Sequence, residues 1–228
     1  MTHAPLPRFL AIGAAFAALS LSHEASAKPP TSWDGLTQVR AKNVDLLYLK
    51  PGADFRQYKS IVLDPTEVAF KKDWHKDINR SRRGAGRYSE ADVRRAIDEA
   101  QGKLRSTFEK RFQETGFQLV PAPAEDALRV FVGVANVDVT APEIKTHGIS
   151  RSYAEQAGHA TLVVEVRDSL SGELLGRAVD HGAAGDNLAM LRTSSSNWAD
   201  FEHLFDEWAR ISSKGFQKLI ASPPQPAQ

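Results

Sequence analysis

His75, His147, His159, His181 and His203 are the side chains downstream of residue 30 best suited to hold a metal or move a proton near neutral pH. Of these, His147, His159 and His181 could converge with Asp138 and Asp180 at one end of a sheet and bind zinc. Their spacing is neither H-E-x-x-H nor any other metal signature, so solvent-facing histidines on loops and strand ends are the simpler reading. Thr193, Ser194, Ser195 and Ser196 supply hydroxyls, yet no G-x-S-x-G elbow surrounds them, and such a run before a helix reads as loop and cap. Gly182 and Gly185 flank Ala183-Ala184, but no helix follows at once, so a phosphate cradle is rejected. No catalytic residue, cofactor site or metal site is therefore assigned.

Charge offers a different chemistry. Lys71, Lys72, Lys76, Arg80, Arg82, Arg83 and Arg87 stand against only Asp73 and Asp77, with Trp74 and Tyr88 among them. Periodicity is lost here, and Gly84 and Gly86 loosen the chain, so 71–88 reads as a long surface loop. Such a loop could meet anionic lipid headgroups, lipopolysaccharide or an acidic envelope protein, each cation contributing on the order of 1 kcal/mol near an anionic surface. A solvated charge run is the plainer alternative. The Trp198, Phe201, Phe205 and Trp208 stripe reads as a core-facing helix side rather than a partner site.

These residues need elements to position them. Tyr58 to Leu63 reads as a first strand, broken by Pro65 and continued at Val68-Ala69-Phe70 as an edge. Ser89 with Asp92 forms a capping box for a helix whose buried face is Val93, Ile97, Ala100, Leu104, Phe108 and Phe112, stopped by Gly116. Phe117 to Val120 is a short strand, and Leu128 to Val139 alternates apolar and polar side chains. Ala160 to Arg167 and Leu174 to Asp180 pair as a hairpin across Asp168 to Glu173. A last helix starts at Asn197, with Asp200 in capping-box position. Alternating strands are covered by helices on one side only, which predicts an α+β two-layer sandwich: a mostly antiparallel sheet with both main helices on one face.

The chain's start bears on compartment. Arg8 precedes a run of thirteen apolar and small residues, Phe9 to Leu21, and Ala25-Ser26-Ala27 has the small-x-small form of a cleavage site. A bilayer span needs about 20 apolar residues, so 1–27 is expected to be a signal peptide cut between Ala27 and Lys28. Residues 28–222 would then form one α+β domain and 223–228 a disordered tail. No cysteine occurs, so neither a disulfide nor a lipid-bearing cysteine is available. Lys plus Arg number 29 against 28 Asp plus Glu, a net charge of +1, and no global field draws the chain to nucleic acid.

Several segments together carry a family resemblance. Leu63-Asp64-Pro65-Thr66-Glu67-Val68-Ala69-Phe70, Asp138 to Pro142, Ala157 to Glu165 and Leu175 to Asp180 resemble, in order, the bacterial family called domain of unknown function 3313. The likeness runs from about Trp33 to Ala221. It implies an exported protein and no particular reaction; many relatives are lipoproteins, from which this chain differs in lacking the cysteine. The expectation is a periplasmic or secreted, non-enzymatic binding or assembly accessory of the cell envelope. The alternative is a metal-dependent or hydrolytic enzyme using His147, His159 and His181.

Overall fold

The computed structural model describes residues 28–80, 87–139, 153–154, 156–185, 190–191 and 194–226. Its helical layer is built by the two amphipathic stretches. Ser89 caps α2 (Glu90–Glu114): its hydroxyl accepts from the Asp92 N–H and the Asp92 carboxylate accepts from the Ser89 N–H. At the other end Gly116 takes φ +91°, a left-handed turn that a side chain would resist. Leu104, Phe108 and Phe112 are fully buried, each contributing about 1.5–3 kcal/mol of apolar burial. Phe112 meets Phe216 of α3 (Ser194–Ala221) at 5.5 Å between ring centres, which joins the two helices.

The sheet has nine strands and is mostly antiparallel. They are β1 (Ser32–Trp33), β2 (Leu36–Val39), β3 (Leu46–Leu49), β4 (Ser60–Leu63), β5 (Glu67–Phe70), β6 (Gln118–Leu119), β7 (Ala127–Val139), β9 (Gly158–Asp168) and β10 (Leu174–Ala184). The path runs β1-β2-β3-β10-β9-β7-β4-β6, with β5 also on β7. Pro65 explains that branch: it interrupts the chain so that β4 pairs in parallel with the first part of β7 and β5 with the second. The short strands β8 (Tyr153–Ala154) and β11 (Met190–Leu191) form a separate pair. Leu128, Val130, Val132 and Val134 of β7 all sit under the helices at 0% exposure, as their alternation predicts.

Two local expectations change, and two further segments take form. Ser32 to Leu49 carries three strands for which no expectation was set, the first two joined by a tight hairpin turn at Asp34 (φ 52°) and Gly35 (φ 79°). Part of the expected 71–88 loop is helical, α1 (Trp74–Arg80), anchored by the buried Trp74. The last helix begins at Ser194, three residues before Asn197, so Asn197 is buried within it rather than capping it. Beyond α3, the Gln225 N–H donates to the Ala53 carbonyl and the Gln225 carbonyl accepts from the Gly52 N–H.

The helix-free face is not bare either. Glu165, Arg177, Thr161, Val163 and Val179 point to it and are buried. At one end the β1–β2 hairpin folds over it. Three strand steps separate β1 from β10, about 14 Å in a flat sheet, yet Asp34 Oδ2 lies 2.8 Å from Arg177 Nη1. The Trp33 ring also lies 4.1 Å from the Arg177 guanidinium carbon, so the hairpin packs on this part of the face through side chains.

Candidate functional site

The cationic segment is held on the sheet by aromatic contacts. Phe70 at the end of β5 stacks on Trp74 at 4.5 Å, and Trp74 in turn meets Tyr88 at 5.6 Å. The Trp74 indole donates to the Val139 carbonyl at 3.2 Å, and Asn79 exchanges two 2.8 Å hydrogen bonds with the Tyr88 backbone. This platform fixes α1 against the end of β7. Charge is partly spent within it: Lys71 meets Asp138 at 2.7 Å, Lys76 meets Asp73 at 2.7 Å and Arg80 meets Asp77 at 3.1 Å. The hydrogen bond Lys71 donates to Asp138 raises the Lys71 pKa, and the one Asp73 accepts from Lys76 lowers that of Asp73. Lys72 and Arg87 are exposed, and among the described residues no ion pair holds either. Arg82 and Arg83 lie outside the described residues, as does Ala27, while Lys28 is exposed.

Among the described residues, the members of the histidine and aspartate set do not gather as a zinc site would require. His159 stands opposite Asp138 across the β7–β9 pair and is exposed, while Asp138 is taken by Lys71. His181 faces away from the helices, with Nδ1 2.9 Å from Asp45 Oδ2. Its neighbour Asp180 points the other way, accepting from the Trp208 indole at 2.8 Å and the Asp45 N–H at 2.9 Å. Burial pushes the Asp180 carboxyl above its ordinary range, against the pull of the Trp208 bond. His147 lies outside the described residues, and among those described no group of three or more histidine, aspartate or glutamate side chains could hold a metal ion. His203 is exposed on α3.

The other motifs resolve into packing. A Cβ added at Gly182 would lie 2.5 Å from Leu204 and 2.8 Å from Trp208, so this glycine lets α3 approach β10. Ser194, Ser195 and Ser196 begin α3, and Thr193 is outside the described residues. Phe201, Phe205 and Trp208 are buried in the core and Trp198 packs against it partly covered.

Sequence reasoning passed over the most concentrated polar cluster. Glu165 Oε1 accepts from Arg177 Nε at 2.8 Å and Nη2 at 2.6 Å, with both side chains at most 8% exposed. Asp34 takes the third guanidinium nitrogen, Arg167 reaches Glu165 Oε2 at 3.1 Å, and the Trp33 ring lies 4.1 Å from the guanidinium carbon. Every charge here is paired, which makes the cluster a clamp for the hairpin rather than an open site. Alternation alone puts Glu165 and Arg177 on the polar face; only the strand register sets them opposite each other.

The family model described as "Protein of unknown function (DUF3313)" matches residues 27–211. No curated protein matches the chain at a significant level. Among solved structures, protein XCC0632 from Xanthomonas campestris is similar at 10% identity and a TM-score of 0.40, over 75% of this chain and 87% of that one. A minor lipoprotein from Acinetobacter baumannii gives 12% identity and 0.36, over 75% and 98%. A PelC dodecamer from Paraburkholderia phytofirmans gives 11% and 0.32, over 71% and 94%.

Proposed function

The chain belongs to the DUF3313 family of proteins of unknown function, and on that premise we propose that it is an exported, non-enzymatic binding accessory of the cell envelope. In this reading residues 1–27 are a cleaved leader, and residues 28–222 act as one domain in the periplasm. No helix among the described residues is long and apolar enough to cross a membrane. The partner is a phosphate-bearing envelope lipid, met through Lys72, Arg87 and the rest of the cationic segment around α1.

One observation carries the reading: the Phe70–Trp74–Tyr88 stack holds α1 on the sheet, with the exposed cations Lys72 just before it and Arg87 beside Tyr88 as a ridge. A pre-positioned ridge binds with less ordering cost than a free loop. The side chains an enzyme would recruit are engaged instead in fold contacts, Asp138 with Lys71, His181 with Asp45 and Asp180 with Trp208.

Vesicle flotation tests the proposal. The chain Lys28–Gln228 should float with vesicles containing phosphatidylglycerol or lipopolysaccharide and not with phosphatidylcholine alone. Reversing Lys72 and Arg87 together to Glu should weaken binding at least tenfold, since each lost cation is worth about 1 kcal/mol, or roughly fivefold. Equal flotation of the doubly reversed variant would refute the role of the ridge, and capture of an acidic protein in place of lipid would replace the partner.

A further inference from the structure

A proline-rich run, Ser222-Pro223-Pro224-Gln225-Pro226, follows α3. The proline rings fix φ at about −65°, and Ser222, Pro223 and Gln225 each precede a proline, which pushes them to extended backbone. These restraints favour polyproline II, a left-handed helix of about three residues per turn. Burial follows that period: Ser222 and Gln225 are half-buried, whereas Pro223, Pro224 and Pro226 are exposed. The two inward residues are the anchors. The Ser222 hydroxyl donates to the Lys218 carbonyl at 2.6 Å, closing the last turn of α3. Gln225 donates its N–H to the Ala53 carbonyl at 2.9 Å and accepts the Gly52 N–H at 3.1 Å. Just before this loop, Lys50 donates to the Leu175 carbonyl at 2.9 Å, so the run is fastened near the start of β10. The far end of β10, Ala184, pairs with Gly158, and Gly158 with Val139 beside α1, so the run and the cationic ridge lie at opposite ends of the sheet.

We propose that Pro223 and Pro226 form an outward-facing P-x-x-P edge that docks in an aromatic-lined groove of a partner protein. Residues three apart in polyproline II share one edge and lie about 9 Å apart. Grooves lined by aromatic side chains read proline segments presented in this way. A partner that adds a strand is disfavoured, because the only N–H between Pro223 and Pro226 belongs to Gln225 and the Ala53 carbonyl already takes it. Pinning Gln225 also orders the run before docking, which lowers the cost of binding. The run carries no charge, so its partner differs in chemistry from the anionic lipid proposed for the ridge.

The test uses purified Lys28–Gln228 carrying a photo-crosslinking amino acid at the exposed position 221, mixed with a detergent extract of the producing organism's envelope. Light should attach a protein, deca-proline should compete it away, and a glycine–serine peptide of equal length should not. Mass spectrometry should map the attachment beside tryptophan, tyrosine or phenylalanine residues of that protein. Pro223→Ala with Pro226→Ala should cut the attachment roughly tenfold or more, through the lost ring contacts. Both prolines are exposed, so the circular dichroism spectrum should be unchanged. Lys72→Glu with Arg87→Glu should leave the attachment intact, so this proposal and the lipid-binding ridge fail separately. Absence of light-dependent attachment, attachment that deca-proline does not reduce, or equal attachment in the two-alanine variant would each overturn the proposal.

Discussion

Replacing Arg177 by Met removes the guanidinium that neutralises Glu165 on the sheet face while keeping a side chain of similar reach. Glu165 loses the 2.6 Å and 2.8 Å bonds to Oε1 and keeps only Arg167, whose side chain is 37% exposed. Stranding a buried partner costs about 3–5 kcal/mol, and the remaining Arg167 contact places this case near the lower figure, about 3 kcal/mol. For a domain of this size each kcal/mol moves the melting temperature by roughly 2–4 °C, so a fall of about 6–12 °C is expected. Releasing Asp34 and Trp33 from Arg177 should also free the β1–β2 hairpin, seen as faster amide exchange across Trp33 to Val39. The double variant Arg177→Met, Glu165→Leu removes the stranded charge and should recover most of the loss, since apolar replacement of a buried pair is often neutral or stabilising. Urea and thermal unfolding followed by circular dichroism measure both. A loss under about 1 kcal/mol in the single variant, or a double variant as unstable as the single, would show that the pair is not the clamp described.

Asp168 should stabilise the β9–β10 turn in a pH-dependent way. Its Oδ1 accepts from the Leu170 and Ser171 N–H groups and the Ser171 hydroxyl, which hold its pKa below the ordinary value, while Tyr58 donates to Oδ2. A carboxyl whose pKa is lowered by folding contributes stability that is present above about pH 4 and lost as pH falls through the folded pKa. Asp168→Asn should therefore cost about 1–2 kcal/mol at pH 7, with the gap to wild type closing below about pH 4 in pH-dependent unfolding. Gly158→Ala should destabilise by about 2 kcal/mol or more, because its Cβ would sit 2.1 Å from the Asp138 carbonyl oxygen and one strand would have to move. An unchanged melting temperature there would contradict the strand register.

How legible the chain was depends on whether a signal is local. The α2 helix could be read outright, since the Ser89–Asp92 box, the apolar face and Gly116 lie within one continuous stretch. The alternation of β7, β9 and β10 likewise revealed the buried face and the antiparallel hairpin. The β1–β3 region was hidden because its strands are two to four residues long, too short for alternation, although Asp34-Gly35 is a hairpin signal in its own right. The α1 helix was hidden by its charge: seven residues have little helical tendency alone, and it is the burial of Trp74 beside Phe70 that holds them. Of the histidine and aspartate set, alternation along β10 already sets the neighbours Asp180 and His181 on opposite faces, and His147 lies outside the described residues.

The central claim is that the cationic ridge at α1 meets the envelope. It is tested most directly by placing a photo-crosslinking amino acid at position 72 in the full chain, in intact cells, with position 214 on α3 as the comparison. The account predicts light-dependent attachment of envelope lipid or lipopolysaccharide from position 72 and little from position 214. It also predicts that Arg87→Glu diminishes the attachment, while the protein recovered from the periplasm begins at Lys28. Attachment equal from both positions, or protein retained in the cytoplasm with its first 27 residues, would contradict it.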